Sequence, residues 1–452
     1  MAKFRSKNRP LRVFKPSQRT VATGQHLLSV DSLADDGRGI AHVSNKTVFV
    51  TGALAGEQVK ARYISSHKNY DEAVAVAIVE AAEQRVMPVC EYVGRCGGCD
   101  LQHLNYDAQL AHKQQRLSLL FSAWLENDNT LAAQAITGSP LLYRHRARFA
   151  VDAGKHRCDI GFRQARSHKV VDITHCSIVY QGINAALPGV RRLIASLKNR
   201  SVVNEVAITE DSDGKHGVAI FSSKPLCASD IAAVNHFAND QHCIVEIRDS
   251  SSLAQHESAH DNTSTLSYRL DAYGLTIPFA VDDFTQVNPG VNNQLIALAI
   301  KWLALSGDDV VADFFCGIGN FSLPIAQSVS RVIGYELVAP MVAKAIANAA
   351  VNEIENCQFK VSDLMADKVP SDAVFNKALL DPPRAGAEQL CRHLATTQLE
   401  RIVYISCNPA TLARDTQILT NGNFQLAELV LADMFPQTAH SEVVALFTRN
   451  HS

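Results

Sequence analysis

From about residue 293 onward, the chain alternates short apolar runs with stretches of helical periodicity, and this order constrains the fold more than any other feature. Seven runs have the length and composition of strands: 310–313, 331–336, 357–361, 377–381, 401–406, 424–430 and 443–447. Apolar strands that alternate with helices form parallel, doubly wound sheets, which bind ligands at the carboxyl ends of their strands. We therefore predict an α/β domain over residues 269–452 with its site after the strands.

The turn after the first of these strands has the character of a nucleotide-binding loop. Gly317 and Gly319 open a helix, where free backbone N–H groups and small residues let a nucleotide approach closely. Glu336 ends the next strand, 17 residues after Gly319, where an acid can bind ribose hydroxyls. Asp363 follows the third strand and could contact adenine, while Ser322 stands where NAD-binding loops have a third glycine. The alternative is a glycine turn that only tightens a strand–helix junction.

Three side chains near the ends of later strands suggest covalent methyl-transfer chemistry. Asp381 ends the fourth strand, Cys407 follows the fifth, and Glu442 lies near the start of the last. A thiolate that adds to carbon 6 of a pyrimidine makes carbon 5 nucleophilic enough to attack a methyl sulfonium, and a base then removes the carbon-5 proton. Taken singly, the three would more often be a buried inert thiol, a turn residue and a solvated carboxylate.

Five segments resemble, in order, the motifs of the RNA uracil-C5 methyltransferases. They are Phe284-Thr-Gln286-Val-Asn288, Asp313-Phe-Phe-Cys-Gly-Ile-Gly-Asn320, Asp381-Pro-Pro-Arg-Ala-Gly, Ser406-Cys-Asn-Pro and His440-Ser-Glu442. The resemblance implies a Rossmann-like S-adenosylmethionine methyltransferase domain in which Cys407 is the nucleophile, Glu442 is the base and Asp381 assists. It also implies cofactor contacts from Gln286, Phe315, Asn320, Glu336, Asp363 and Asp381. Related cytosine enzymes carry a second cysteine in the Asp381 motif, and its absence here favours uracil.

The chain contains eleven cysteines, and three of them lie within ten residues. Because we find no secretory signal, a disulfide framework is not expected. Cys90, Cys96 and Cys99, with Cys176 further on, offer four thiolates to a metal, and their spacing leaves zinc and an iron–sulfur cluster equally open. The pattern resembles that of the RumA-type enzymes of bacterial 23S ribosomal RNA. This resemblance implies a 4Fe–4S cluster on these four cysteines, with Cys158 as the rival fourth ligand.

Residues 20–82 contain short strands separated by glycine turns, which predict a small β-barrel. The segments 37–42 and 50–57 resemble a TRAM domain, an OB-like RNA-binding module; a structural spacer is the alternative. Residues 1–19 carry seven basic and no acidic side chains, whereas the whole chain has a net charge of −2. Such a tail gains affinity for phosphate-rich partners by counterion release, although it could also serve solubility alone.

These observations predict four parts. They are a basic tail at 1–19, a TRAM barrel at 20–82, a small α+β iron–sulfur and RNA-binding domain at 83–268, and the methyltransferase domain at 269–452. Within the third part we expect a helix at 103–126 that packs on the catalytic domain through a stripe of apolar side chains. The stripe comprises Leu110, Leu117, Leu120, Phe121 and Trp124. Strands should fill 142–270, with one helix near 187–198 and a polar loop at 249–264.

The resemblance covers essentially the whole chain and implies 23S ribosomal RNA as the partner. Transfer-RNA enzymes of this family lack both barrel and cluster, and a second 23S enzyme lacks the barrel. The target uracil must leave its stack to reach the cysteine. The absence of a signal peptide or long apolar run predicts a cytoplasmic protein. The alternatives are a uracil-C5 methyltransferase of transfer RNA or of another ribosomal RNA site, a non-catalytic iron–sulfur RNA-binding protein and a redox enzyme, although no flavin or nicotinamide pattern supports the last.

Overall fold

The computed structural model describes residues 23–125, 135–154, 156–249, 265–366 and 374–449. These form two compact units, which divide between Arg85 and Val86. The basic tail at 1–19 and nearly all of the polar loop predicted at 249–264 lie outside the described residues. Within the described ranges, no helix has both the length and the apolar character needed to cross a membrane.

The N-terminal unit is a single sheet of six strands. They are β1 (His26–Ser29), β2 (Ser32–Leu33), β3 (Gly39–Val43), β4 (Lys46–Thr51), β5 (Gln58–Ser66) and β6 (Tyr70–Glu80). The order across the sheet is β1-β5-β6-β4-β3-β2, and neighbours are antiparallel except for β4 and β6. Val48 and Val50 on β4 are fully buried, because alternate side chains of a strand face the same side. The predicted all-β character of this region is confirmed.

The second unit begins with the cysteine-rich segment and helix α1 (Tyr106–Leu120). The Asn105 side chain caps α1 by accepting a hydrogen bond of 2.9 Å from the Ala108 backbone N–H, which satisfies one of the free donors of the first turn. Leu117 and Phe121 are buried in the apolar core beneath the C-terminal sheet, as the stripe predicted. Leu120 is 40% exposed and was wrongly assigned to that stripe, because it lies at the edge of the buried face.

The middle of this unit is a six-stranded sheet covered by helices. Its elements are β7 (Arg146–Ala153), β8 (Cys158–Arg163), β9 (Val170–Asp172), α2 (Gln181–Ser196), β10 (Val203–Glu210), β11 (His216–Ser222), α3 (Ala228–Asp240) and β12 (Ile244–Asp249). The strand order is β12-β11-β10-β7-β8-β9. The single predicted helix corresponds to α2, which begins six residues earlier than expected. Helix α3 was not predicted, because its buried face is formed by few large apolar side chains.

A hairpin, β13 (Leu266–Leu270) and β14 (Leu275–Phe279), leads into the C-terminal sheet. The remaining elements are α4 (Pro289–Leu303), β15 (Val310–Phe314), α5 (Ser322–Ala326), β16 (Arg331–Glu336), α6 (Ala339–Val351), β17 (Cys357–Val361), β18 (Lys377–Leu380), α7 (Glu388–Leu394), β19 (Arg401–Ser406), α8 (Pro409–Asn421), β20 (Phe424–Ala432) and β21 (Glu442–Arg449). All seven predicted strands are present, in the order β17-β16-β15-β18-β19-β21-β20.

The prediction of a wholly parallel sheet was wrong at its last strand. Strands β15 to β19 are parallel, but β21 inserts between β19 and β20 and is antiparallel to both. Only nine residues, 433–441, connect β20 to β21. A connection this short contains no crossover helix and returns the chain in the opposite direction, because a parallel crossover usually needs a dozen or more residues.

Candidate active site

A cavity of about 960 Å³ lies at the carboxyl ends of the parallel strands. Its wall includes residues that directly follow or end five of them, where a doubly wound sheet exposes functional side chains. The cavity brings together all but one of the predicted catalytic and cofactor-binding side chains. Those lining it are Gln286, Phe315, Glu336, Asp363, Asp381, Cys407 and Glu442.

The turn between β15 and α5 forms one wall of the cavity. Phe315, Gly317 and Gly319 have φ values of 66°, 56° and 98°, a left-handed conformation that glycine adopts without strain and phenylalanine does not. The Glu336 carboxylate accepts hydrogen bonds from the backbone N–H groups of Gly317 at 3.3 Å and Val338 at 3.0 Å. This acid therefore holds the glycine turn in place and also faces the cavity.

Beneath the same turn, Asp313 is fully buried and accepts a hydrogen bond from the Ser322 hydroxyl. Burial, partly offset by this bond, raises the pKa of Asp313 to about 7. Ser322 occupies the position at which the sequence lacked a third glycine. The structure thus gives that serine a local partner under the loop.

Asn320 is the one predicted cofactor contact that does not line the cavity. Its side-chain amide forms a reciprocal pair with that of Asn292, with N···O distances of 2.9 and 3.0 Å. The Tyr268 hydroxyl donates a further hydrogen bond of 3.1 Å to Asn320. These bonds hold the Asn320 amide against side chains of α4 and β13.

Two asparagine–proline pairs set the positions of Gln286 and Cys407. Asn288 caps α4 and Asn408 caps α8, each accepting a hydrogen bond from a backbone N–H in the first helical turn. The following residue in each case is proline at the first position of the helix, where its fixed φ is favourable and its missing N–H costs nothing. The helices therefore start at defined points, and Cys407 lies immediately before its cap.

Cys407, Asp381 and Glu442 share an electrostatic environment. Burial raises the pKa of Glu442 to about 7. The pKa of Asp381 is raised well above its usual range by burial and by the nearby charge of Glu442. The pKa of the Cys407 thiol is raised by burial, by Glu442 and by Asp381, while Arg384 lowers it. Both carboxyl groups consequently favour their protonated forms relative to the same groups in water.

Arg384 and His440 line the same cavity, and sequence reasoning gave neither a role. The Arg384 guanidinium lies 2.9 Å from His440 Nδ1, and its backbone carbonyl accepts a hydrogen bond of 3.0 Å from the Asn408 side chain. Both residues stand inside motifs quoted above, next to assigned residues. Their place within those motifs was the available signal, but the contact between Arg384 and His440 joins residues 56 positions apart and cannot be seen locally.

The cysteine-rich segment forms another part of the wall, through Gly97 and Gly98 between Cys96 and Cys99. The four predicted ligands pack in or against one apolar core, and so does the rival ligand Cys158. Burial raises the pKa of Cys99 to about 12; Gln102 opposes this shift, and the charges of the other three predicted ligands add to it. Within the described residues, no three His, Cys, Asp or Glu side chains are arranged to hold a metal ion.

A family model for tRNA (uracil-5-)-methyltransferases matches residues 105–369 and 365–450 of this chain. The chain belongs to this family. A TRAM domain model matches residues 27–76. Both matches confirm the resemblance drawn from the motifs.

Curated relatives extend the match over nearly the whole chain. The protein is 40% identical over 426 residues, 93% of each chain, to the 23S rRNA (uracil(1939)-C(5))-methyltransferase RlmD of Pseudomonas fluorescens Pf-5. It is 35% identical over 445 residues, 97% of this chain and 100% of the other, to the RlmD of Vibrio parahaemolyticus.

Among solved structures, the tRNA (uracil-54, C5)-methyltransferase of Pyrococcus abyssi, in complex with S-adenosyl-L-homocysteine, superposes with a TM-score of 0.75. It is 23% identical, and the match covers 93% of this chain and 99% of that one. The predicted methyltransferase fold is therefore confirmed.

Proposed function

We propose that this protein is an S-adenosylmethionine-dependent methyltransferase that converts a uridine of 23S ribosomal RNA, the counterpart of uracil 1939, to 5-methyluridine. The substrate follows from the curated relatives, whose names specify that base. The observation that carries the chemistry is that Cys407, Asp381 and Glu442 line one cavity with the residues expected to hold the methyl donor.

The reaction follows from this arrangement. The Cys407 thiolate adds to carbon 6 of the uracil, and the ring electrons move to form an enolate. Carbon 5 then takes the methyl group that the donor would supply: the C5–CH3 bond forms as the S–CH3 bond of the sulfonium breaks, and the electron pair of that bond stays on the sulfur as a neutral thioether. Glu442 removes the proton from carbon 5, the C5–C6 double bond re-forms, and the C6–S bond breaks to return the thiolate. With a pKa of about 7, Glu442 is partly ionised at neutral pH and can accept that proton.

Asp381 is suited to hold the polar edge of the uracil. Burial and the nearby charge of Glu442 raise its pKa, which favours the protonated form, and a protonated carboxyl can donate a hydrogen bond to a ring oxygen. Such a bond strengthens as negative charge develops on that oxygen, so it favours the enolate over the starting ring. The two prolines after Asp381 restrict the conformational freedom of the loop beside the ring.

For the methyl donor, we propose contacts from the glycine-turn side of the cavity. Phe315 and the backbone of Gly317 adjoin Glu336, whose carboxylate is placed for ribose hydroxyls, and Asp363 follows β17 on the adenine side. Gln286, three residues before α4, completes the cavity. Asn320 supports this wall through its pairing with Asn292, and we propose that the second N–H of its side-chain amide contacts the donor.

We further propose that Cys90, Cys96, Cys99 and Cys176 hold a 4Fe–4S cluster. The donor set fits in chemistry: the four cysteines adjoin one apolar core, and the charges of the other three raise the pKa of the Cys99 thiol. A metal binds cysteine as the thiolate and would compensate the negative charge of the four sulfurs. The cluster would supply structural support. Iron and acid-labile sulfide analysis of anaerobically purified protein tests this, and stoichiometric zinc would contradict it.

The remaining parts fit a ribosomal RNA partner in the cytoplasm. We propose the domain limits 20–82 for the TRAM barrel, 83–268 for the central domain and 269–452 for the methyltransferase domain. The basic tail at 1–19 would contact phosphates, whose neutralisation releases counterions. The target base would have to leave its stack in a folded RNA loop, because Cys407 and Glu442 line a cavity that a stacked base could not enter.

The decisive experiment is transfer of labelled methyl from S-adenosylmethionine to unmodified 23S ribosomal RNA and to transfer RNA. Wild type and Cys407→Ala are assayed in parallel. Labelling of 23S RNA alone, abolished by the substitution, is the expected result. Labelling of transfer RNA would contradict the substrate, and no labelling of either would favour a non-catalytic RNA-binding protein.

A further inference from the structure

The loop between β20 and β21, residues 433–441, is held by the segment that directly follows Cys99. The backbone N–H groups of Asp100 and Leu101 both donate to the carbonyl oxygen of Gln437, at 3.1 and 3.0 Å. Gln102, the next residue, accepts a hydrogen bond of 3.2 Å from the Cys90 backbone N–H. The path from Cys90 and Cys99 to this loop is therefore short, because it runs through residues 100–102 and their hydrogen bonds.

Helix α1 holds the same loop by its side chains. The Gln109 side chain accepts from the Gln437 backbone N–H and donates to the Gln437 side-chain oxygen, both at 3.0 Å. The same Gln109 amide nitrogen also lies 3.1 and 2.8 Å from the carbonyl oxygens of Leu101 and Leu104; because the amide has only two N–H groups, two of its three acceptors share one hydrogen. Gln109 is 1% exposed, so these bonds are shielded from water and leaving any of them unmade would be costly.

Gln437 itself has a φ of 69°, a conformation that side chains other than glycine and asparagine seldom adopt. A residue held there persists because its surroundings over-determine it, and such strain is often found at functional sites. The loop around it supplies Phe435, Thr438 and His440 to the cavity wall, and β21 starts at Glu442. Gly97 and Gly98 line the same cavity from the cysteine-rich side.

From these contacts we infer that Gln437 is a positioning residue, through which the cysteine-rich segment and α1 fix the place of Glu442 beside Cys407. The consequence for catalysis rests on the proposed function, but the placement itself does not. A displacement of about 1 Å at a reacting group can cost a hundredfold in rate. A rearrangement of the cysteine-rich segment would then displace the Glu442 carboxylate.

The test compares Gln437→Gly with Gln437→Asn in the full-length protein. Glycine keeps the backbone carbonyl and tolerates the positive φ but loses the side-chain bond to Gln109, whereas asparagine keeps an amide and also tolerates that φ. Gln109→Ala removes the same pairing from the helix side, should Gln437→Gly fail to fold. The iron content of every preparation is measured, so that loss of metal is not mistaken for loss of positioning.

Two readouts separate positioning from general weakening. The first is the pH dependence of Cys407 alkylation by iodoacetamide, followed by mass spectrometry of its peptide. The charged groups that shift this thiol are Glu442, Asp381 and Arg384. Moving Glu442 away removes a negative charge, so the midpoint should fall in Gln437→Gly and return in Gln437→Asn. The second is methyl transfer, in which kcat should fall about ten- to hundredfold with little change in KM.

An alkylation midpoint that stays at the wild-type value in both Gln437→Gly and Gln109→Ala would overturn the inference, whatever happens to turnover. A lower midpoint with unchanged kcat would also overturn it, since the loop would then move without consequence for the reaction. If wild type transfers no methyl group, the proposed function fails, and the alkylation profile alone still decides whether Gln437 positions Glu442.

Discussion

Arg384 Nη2 and His440 Nδ1 stand 2.9 Å apart on the wall of the large cavity. Burial and the positive charge of Arg384 both lower the pKa of His440, so the imidazole is neutral at physiological pH and can accept a hydrogen bond from the guanidinium. The contact fixes the one cation among the charged groups that shift the pKa of Cys407 most strongly. Arg384 is thereby held where it favours the thiolate form of the nucleophile.

The first prediction concerns this charge. Arg384→Gln should raise the pKa of Cys407, because burial, Glu442 and Asp381 would then act on it without an opposing cation. Methyl transfer at pH 7 should fall with the thiolate population, by about tenfold for each unit by which the pKa rises. Raising the pH should recover part of the loss. The pH profile of Cys407 alkylation measures the shift directly.

Arg384→Lys is the matched control for that experiment. It keeps a positive charge but loses the planar donor that meets His440, so its alkylation midpoint should lie between those of wild type and Arg384→Gln. Equal midpoints in wild type and Arg384→Gln would show that Arg384 does not influence the thiol.

The second prediction concerns the base. In Glu442→Gln the addition of Cys407 and the methyl transfer can still occur, but the carbon-5 proton has no acceptor and the C6–S bond cannot break. A methylated RNA–protein adduct that survives denaturing electrophoresis should therefore accumulate. The double variant Cys407→Ala/Glu442→Gln should give none. Release of free methylated RNA at the wild-type rate would assign proton removal to another group.

The third prediction concerns the ion pair that joins α1 to the loop at 433–441, between β20 and β21. Lys113 Nζ lies 2.7 Å from an Asp433 carboxylate oxygen, and both side chains are fully buried. Lys113→Met leaves that carboxylate with the Tyr106 hydroxyl but without its cation. Removing one partner of a buried pair costs about 3–5 kcal/mol. Urea unfolding followed by the fluorescence of Trp124 and Trp302 measures the loss.

Two controls make this third prediction specific. Lys301→Met changes an exposed lysine on α4 and should leave the free energy of unfolding within about 0.5 kcal/mol of wild type. The double variant Lys113→Met/Asp433→Leu should recover much of the loss, because no unpaired charge remains buried. A double variant no more stable than Lys113→Met would show that packing, rather than the unpaired charge, accounts for the effect.

Most of the C-terminal fold could be predicted from the sequence, because buried parallel strands are continuous apolar runs and need no alternation to be recognised. The direction of β21 could not, since an apolar run is the same in either direction. Helix α3 was missed for a different reason, the small number of buried side chains on it. Only Val234, Ala238 and Asp230 are buried on it, so its periodicity gives a weak signal.

The candidate site shows the same division between local and distant information. Cys407 and Asp381 could be placed because they follow strands, and the ends of parallel strands meet at one edge of the sheet. The pairing of Asn320 with Asn292 joins residues 28 apart, and the contact of Gln109 with Gln437 joins residues 328 apart. No sequence period connects such positions, so these partners appear only once the chain is folded.

The last prediction links Glu442 to stability. Its pKa rises from a usual 4.5 to about 7 on folding, so the folded state binds the proton more tightly than the unfolded state does. Stability from this group is fully present below pH 4.5 and is lost as the pH rises through 7. Glu442→Gln has no charge to bury, and it should exceed wild type by on the order of 3 kcal/mol at pH 8, with no such gain at pH 4.5. Urea unfolding at pH 4.5 and at pH 8 measures this difference in the free energy of unfolding. Glu355→Gln, which changes an exposed glutamate, is the matched control. A gain in stability of equal size at the two pH values would mean that Glu442 does not titrate in this range.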